Sequence, residues 1–131
     1  MKKLLTKESI LEIEDLALVE MEIPEWDGIV TLKPLTGEEK DNFEYAIFTE
    51  TKEGKSLKNL RARLVAASVV NPDTKELLFT QSDVAYLGRK SGAALDRIFQ
   101  RAQEINHMKK EDVEALTENL PQGQSEDGSL K

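Results

Sequence analysis

The sequence predicts an α+β fold in which an N-terminal β-hairpin packs against a mainly α-helical bundle of four to five helices. Three observations predict it. Residues 18–35, LVEMEIPEWDGIVTLKPL, carry a two-residue apolar period and the single Trp of the chain. The apolar residues after that stretch recur mainly at three- and four-residue spacing, as on one face of a helix. A two-stranded hairpin is marginal alone in water, so its apolar face needs the helices that follow as its partner.

Ahead of the hairpin, Leu4, Leu5, Ile10, Leu11 and Ile13 surround Thr6, and Thr6 as an N-cap predicts a short helix over residues 7–15 with a partial apolar stripe. In the hairpin, Val19, Met21 and Ile23 alternate with Glu20 and Glu22, and Val30 and Leu32 alternate with Thr31 and Lys33. Pro24, Glu25, Trp26, Asp27 and Gly28 form a five-residue loop between the strands. Pro24 cannot donate to a ladder, and the Asp27-Gly28 pair tolerates positive φ. Thr36-Gly37-Glu38-Glu39 is a capping box that starts a helix carrying Phe43, Ala46 and Ile47 on one face; the polar run from Glu50 to Lys55 breaks the pattern, with Gly54 as its stop. Leu57, Leu60, Leu64, Val65 and Ser68 mark residues 57–70 as a mostly buried helix at the centre of the core.

Asn71-Pro72-Asp73-Thr74 is a turn, and the run Leu77-Leu78-Phe79 is either a strand fragment or a packed loop, which periodicity does not decide. Thr80 and Asp83 cap a helix carrying Val84 and Leu87, and Gly88 is placed to end it in a left-handed conformation. Ser91 caps the next helix, whose stripe of Ala94, Leu95, Ile98, Phe99, Ala102 and Ile105 faces away from Asp96, Arg97, Gln100, Arg101 and Glu104. A last short helix is expected from Lys110 to Leu116. The organisation is thus one domain over residues 1–119 and a disordered polar tail over 120–131, PQGQSEDGSLK being almost free of apolar residues from Pro121 onward.

The 131 residues include no cysteine, which excludes disulfides, thiolate metal sites and thiol nucleophiles. A net charge of −7 opposes binding to phosphate backbones, so nucleic acid is not an expected partner. No apolar run of about 18 residues is present to span a membrane, and the basic start of the chain lacks the apolar core of a signal peptide. A soluble cytoplasmic protein is the expectation.

Catalytic chemistry has little to work with. The single His107 falls near the end of the long helix, where it suits the helix dipole and cannot form a metal centre by itself. Glu38-Glu39 and Glu111-Asp112 sit at helix starts, and no calcium-loop spacing of carboxylates occurs. Lys90-Ser91 fails as the end of a phosphate-binding loop, because Val84 and Arg89 stand where glycines are needed. No enzyme activity, cofactor or metal is expected. Trp26 either caps the core or offers an anchor to a partner. With its loop neighbours Pro24, Glu25, Asp27 and Gly28 it forms the candidate partner-binding site, and the exposed faces of the helices at 57–70 and 91–106 are further candidates.

These pieces together resemble a known family. The segments Ile23-Pro24-Glu25-Trp26-Asp27-Gly28 followed by Val30, Leu35-Thr36-Gly37-Glu38-Glu39-Lys40-Asp41-Asn42-Phe43-Glu44, and Asn59-Leu60-Arg61-Ala62-Arg63-Leu64-Val65-Ala66 carry the resemblance. It continues through Leu78-Phe79-Thr80, Asp83-Val84, Leu87-Gly88 and Lys90-Ser91-Gly92-Ala93-Ala94-Leu95-Asp96-Arg97-Ile98-Phe99. In order and spacing they are similar to the small tail assembly chaperones of long-tailed phages and prophages, encoded between the major tail protein and the tape measure protein. The resemblance implies a non-enzymatic helper of virion morphogenesis that binds the tape measure protein and helps recruit tail-tube subunits, the major tail protein. It further implies self-association into spiral or ring-like oligomers, a place in the host cytoplasm during assembly, absence from the mature virion, and often a longer frameshifted product. Two other functions are open to a chain of this composition: an acidic viral inhibitor or regulator that mimics nucleic acid, and a structural tail or connector component. Against the first, the acids are interleaved with lysines and arginines.

Overall fold

The computed structural model describes residues 2–52 and 59–108. Helix α1 (Lys7–Glu12) leads into strands β1 (Val19–Ile23) and β2 (Gly28–Leu32), then helices α2 (Gly37–Lys52) and α3 (Leu60–Ser68), strand β3 (Val69–Val70), and helices α4 (Val84–Leu87) and α5 (Gly92–Ile105). The α+β class is as expected, a sheet near the N-terminus covered by helices. The sheet has a third strand, however. β3 pairs antiparallel with β2, Leu32 opposite Val69 and Thr31 opposite Val70, giving the order β1-β2-β3. The apolar spacing predicts a helix through residue 70; instead α3 ends at Ser68 and the β-branched Val69-Val70 pair, which fits a pleated surface better than a helix, joins the sheet.

In β1 the expected alternation is seen, with Glu20 and Glu22 exposed between partly buried Val19 and Met21 and fully buried Ile23. In β2, Thr31 is buried as well as Leu32, because β2 is the central strand and Thr31 lies between Glu20 and Val70. The run at 77–79 resolves into a single bridge between Leu77 and Val70, with the Leu78 amide donating to the Val69 carbonyl.

Local sequence signals set the helix starts. Thr6 caps α1 and exchanges hydrogen bonds with Ser9, so the helix begins as expected, but it ends at Glu12, short of residue 15. At α2 the Thr36 amide donates to Glu39 Oε1 while the Glu39 amide donates to Thr36 Oγ1, each satisfying a donor that a helix start leaves unpaired. The helix then runs past Glu50 to Lys52; Gly54 and Leu57 lie outside the described residues. Thr80 and Asp83 form the next capping box, ahead of a 3₁₀ turn (Gln81–Asp83) that passes into α4, and Ser91 caps α5 by accepting from the Ala94 amide. Asn71 Oδ1 accepts from the amides of Asp73 and Thr74, which closes the turn the sequence marked.

Gly88 corrects an expectation. Its backbone is right-handed (φ −62°), so the position does not need glycine for its dihedral. What favours glycine there is space, since a Cβ would run into the Asn59 side-chain amide and push it aside.

Among the described residues two apolar clusters form the core. The larger joins the sheet to α3, α4 and α5 through Ile23, Leu32, Val65, Val69, Leu87 and Ile98. The second lies among α2, α3 and α5, with Leu35, Phe43, Ile47, Leu64, Phe99 and Ala102. α3 contributes to both and is buried nearly all round, as a central helix must be. α5 buries the stripe Ala94, Leu95, Ile98, Phe99 and Ala102, and its C-cap Asn106 ties down the strand exit, accepting from the Leu35 amide at 2.7 Å while donating to the Ala102 carbonyl at 2.8 Å. The expected helix at 110–116, the domain boundary at 119 and the polar tail lie outside the described residues.

Candidate partner-binding site

The loop between β1 and β2 is shorter by one residue than expected. Ile23 pairs with Gly28, so Gly28 belongs to the ladder and four residues, Pro24 to Asp27, make the turn. Pro24 opens a 3₁₀ turn (Pro24–Trp26), where its fixed φ is suited to the first helical position and its missing amide costs nothing. Asp27 ends the turn in the left-handed region (φ 50°), with its amide donating to the Pro24 carbonyl at 3.2 Å. Of the Asp27-Gly28 pair only Asp27 uses the positive φ the sequence anticipated, a conformation short polar side chains tolerate.

The loop is held from below. Trp26 is half-buried and packs against the larger core cluster, so the indole acts first as a cap on the apolar interior. Glu25 receives a two-point clamp from Arg97 on α5, Nε to Oε1 at 3.2 Å and Nη2 to Oε2 at 2.7 Å. The Arg97 guanidinium, with the Glu25 backbone amide adding to it, holds the Glu25 carboxyl below its usual range; the carboxylate in turn raises Arg97. Pro24, Asp27 and Gly28 remain exposed. The structure therefore brings Glu25 and Trp26 onto α5 and the core, and leaves a small, mostly polar tip facing solvent.

The helix faces expected from sequence are mostly polar on their outer sides, although α3 contributes Ala66 and Ala67 to an apolar groove. α3 exposes chiefly Arg61, which bonds Asp96 of α5 at 3.1 Å and lies over the Phe99 ring at 5.9 Å. The outer face of α5 is laced with polar pairs, Gln100 to Asp96 and Arg101 to Glu104. Exposed apolar side chains sit elsewhere: Tyr45 and Phe48 on α2, Leu77, Leu78 and Tyr86 around α4, Ile29 on the sheet, and Leu4, Leu5, Ile10, Leu11, Ile13 and Leu16 ahead of the sheet. Between α2, α3 and the segment at 77–81 lies a groove of about 190 Å³ floored by Phe43, Ala46, Ala66, Ala67 and Leu77 and edged by Glu39 and Arg63. Burial pushes the Glu39 carboxyl up, but Lys33 and the Thr36 amide outweigh it and hold the group below the usual range.

No protein-family model, curated protein or solved structure matches this chain. Among the described residues no group of three or more His, Asp or Glu side chains is placed to hold a metal, and no helix is long and apolar enough to cross a membrane. His107 lies just past α5 with φ 54°, exposed, and contributes a turn residue.

What sequence reasoning missed was the location of the apolar surface. The signal was present, in the broken apolar pattern of residues 4–16 and in the run Leu77-Leu78-Phe79, neither of which had a complete period to place it in the core.

Proposed function

We propose that this chain is a tail assembly chaperone of a long-tailed phage or prophage, which binds the tape measure protein in the host cytoplasm, helps recruit the major tail protein, self-associates, and leaves the assembly before the virion matures. The observation that carries this reading is the ordered run of loop, caps and helices quoted above, on a body with exposed apolar side chains. A helper that keeps a long apolar helical client dispersed needs apolar surface rimmed by charge, and an acidic net charge keeps the coated complex apart from its neighbours. Tyr45, Phe48, Leu77, Leu78 and Tyr86 supply apolar surface of that kind on a chain of net charge −7.

Co-expression with the tape measure protein encoded nearest to its gene tests the reading. The client is expected to become soluble and to copurify in a stoichiometric complex; a client that stays insoluble and uncomplexed overturns it. The nucleic-acid mimic is less well supported, because ion pairs such as Glu25–Arg97, Lys33–Glu39 and Arg61–Asp96 break up any continuous negative strip.

A further inference from the structure

The sheet has an open edge. In the order β1-β2-β3, β1 has one neighbour, and among the described residues no other segment hydrogen-bonds to its backbone. The ladder decides which groups that edge presents. The Lys33 amide donates to the Ser68 carbonyl, so Lys33 and, at a two-residue period, Thr31 and Ile29 turn their backbone groups to the β3 side, while Val30 and Leu32 turn theirs to β1. Val19 and Met21, opposite Leu32 and Val30, therefore bond β2. Glu20 and Glu22, opposite Thr31 and Ile29, point their amides and carbonyls away from the sheet.

The side chains decide what fits there. Glu20 and Glu22 are exposed on one face of β1, and on the other Val19 and Met21 are only partly buried, with Met21 at the rim of the larger core cluster. The charge around this edge has one sign. Residues 8–32 hold eight acids and no Lys or Arg, a net of −8 against −7 for the whole chain, so the remaining residues together come to +1. Arg97 answers one of those acids, Glu25, and leaves Glu20 and Glu22 alone. A second β1 laid antiparallel on this edge would set glutamate opposite glutamate, which guards it against copies of the same chain. A basic strand meets no such barrier.

We propose that the open edge of β1 receives an extended segment of a partner protein, in which Lys or Arg alternates with a β-branched apolar residue, as a fourth, antiparallel strand. The basic residues lie directly opposite Glu20 and Glu22 and exchange backbone hydrogen bonds with them, and the apolar residues between lie against Val19 and Met21. Backbone pairing supplies the affinity and the side-chain alternation selects the partner. The contact does not depend on the chaperone reading.

A capped, fluorescently labelled peptide, TKVKVKT, titrated with the full chain tests it. Fluorescence anisotropy is expected to show saturable binding that weakens with added salt, and hydrogen exchange at the Glu20 and Glu22 amides is expected to slow in the complex. N-methylation of the peptide's lysine amides, which face β1, should abolish binding, whereas N-methylation of its valine amides, which face away, should leave most of it. A block-ordered peptide of the same composition, KKKVVTT, should bind at least about tenfold more weakly. No saturable binding, equal binding of the block-ordered peptide, or equal loss from the two methylated peptides overturns the proposal; equal binding of the block-ordered peptide would mean attraction to acidic surface without strand addition. On the protein side, Glu20→Lys with Glu22→Lys reverses two exposed charges and should weaken TKVKVKT at least about tenfold while admitting the acidic peptide TEVEVET. A folded variant that binds the basic peptide as the parent does overturns the proposal. Should circular dichroism show that it does not fold, the two methylated peptides decide on the unaltered chain.

Discussion

Helix α5 and the arm ahead of the sheet are both rich in apolar side chains, and they end in opposite environments. α5 buries Ala94, Leu95, Ile98, Phe99 and Ala102 along a 14-residue helix, whereas Leu4, Leu5, Ile10, Leu11, Ile13 and Leu16 remain exposed around a helix of 6. The difference is length and continuity of the stripe. Four turns with apolar residues on one side fit an elongated core and hold each other in register, while a turn and a half cannot define a face large enough to offset the entropy of fixing it. Apolar content says that a segment needs a partner. It does not say that the partner is in the same chain.

The sharpest way to break this contrast is to truncate one residue from each side of it. Ile98 is fully buried, so Ile98→Ala is expected to lower stability by about 2–5 kcal/mol through lost burial and the cavity left behind. Leu11→Ala should change it by less than about 0.5 kcal/mol when measured at dilution sufficient to keep the chain monomeric. Urea unfolding of both variants decides: equal losses would mean that the arm packs on its own body after all.

Trp26 lies between these extremes. Half-buried on the larger cluster, its truncation to Ala should cost about 2 kcal/mol, less than for a fully enclosed aromatic, and leave a folded chain. A complete loss of folding would place the indole wholly in the core; no measurable loss would return it to the surface as a free anchor.

How much was legible in the sequence follows from how local each signal was. The capping boxes at Thr36 and Thr80 and the Ser91 cap were readable because a side chain and an amide three residues away settle them without reference to the rest of the fold. The α5 stripe was readable because it is long. The third strand was not, since Val69 and Val70 continue the apolar run of α3 without a break, and what makes them a strand is the vacant edge of β2, a partner some 40 positions back in the chain. The clamp of Arg97 on Glu25, 72 residues apart, was hidden for the same reason. As for the candidate site, the sequence placed a turn between the two strands but counted Gly28 in it, and it did not show that Glu25 and Trp26 would be committed to α5 and the core.

Gly88 and Asn59 give a smaller effect that tests close approach against backbone freedom. A methyl group at residue 88 would meet Asn59 Oδ1, so Gly88→Ala should cost about 1 kcal/mol as the amide is pushed aside. Asn59 itself sits at φ 68°, where glycine is comfortable, so adding Asn59→Gly should return most of that loss. Thermal unfolding of the two single variants and the double one measures the coupling; strict additivity would show that the contact is not the reason for the glycine. Ser68 works in the opposite direction. It is fully buried within α3 and its hydroxyl has no hydrogen-bond partner among the described residues, so Ser68→Ala is expected to raise stability by about 1 kcal/mol, and a loss on the same unfolding curve would mean that the hydroxyl is satisfied in solution.

The smallest effect concerns acid. Glu25 is held below its usual range by Arg97, and Glu39 is likewise held low, so both carboxyls bind protons more weakly in the folded chain than in the unfolded one. Such groups add stability that is fully present above their unfolded values and is lost as pH falls through their folded values, so the chain should weaken progressively below roughly pH 5. Arg97→Ala removes the clamp and leaves Glu39 with Lys33, so the variant should start slightly less stable at neutral pH and lose less on acidification. The two proteins' stabilities should then converge in acid. Curves that stay parallel down to the acid limb would show that Arg97 supports the loop through its apolar stem, and that the charge pair contributes nothing of its own.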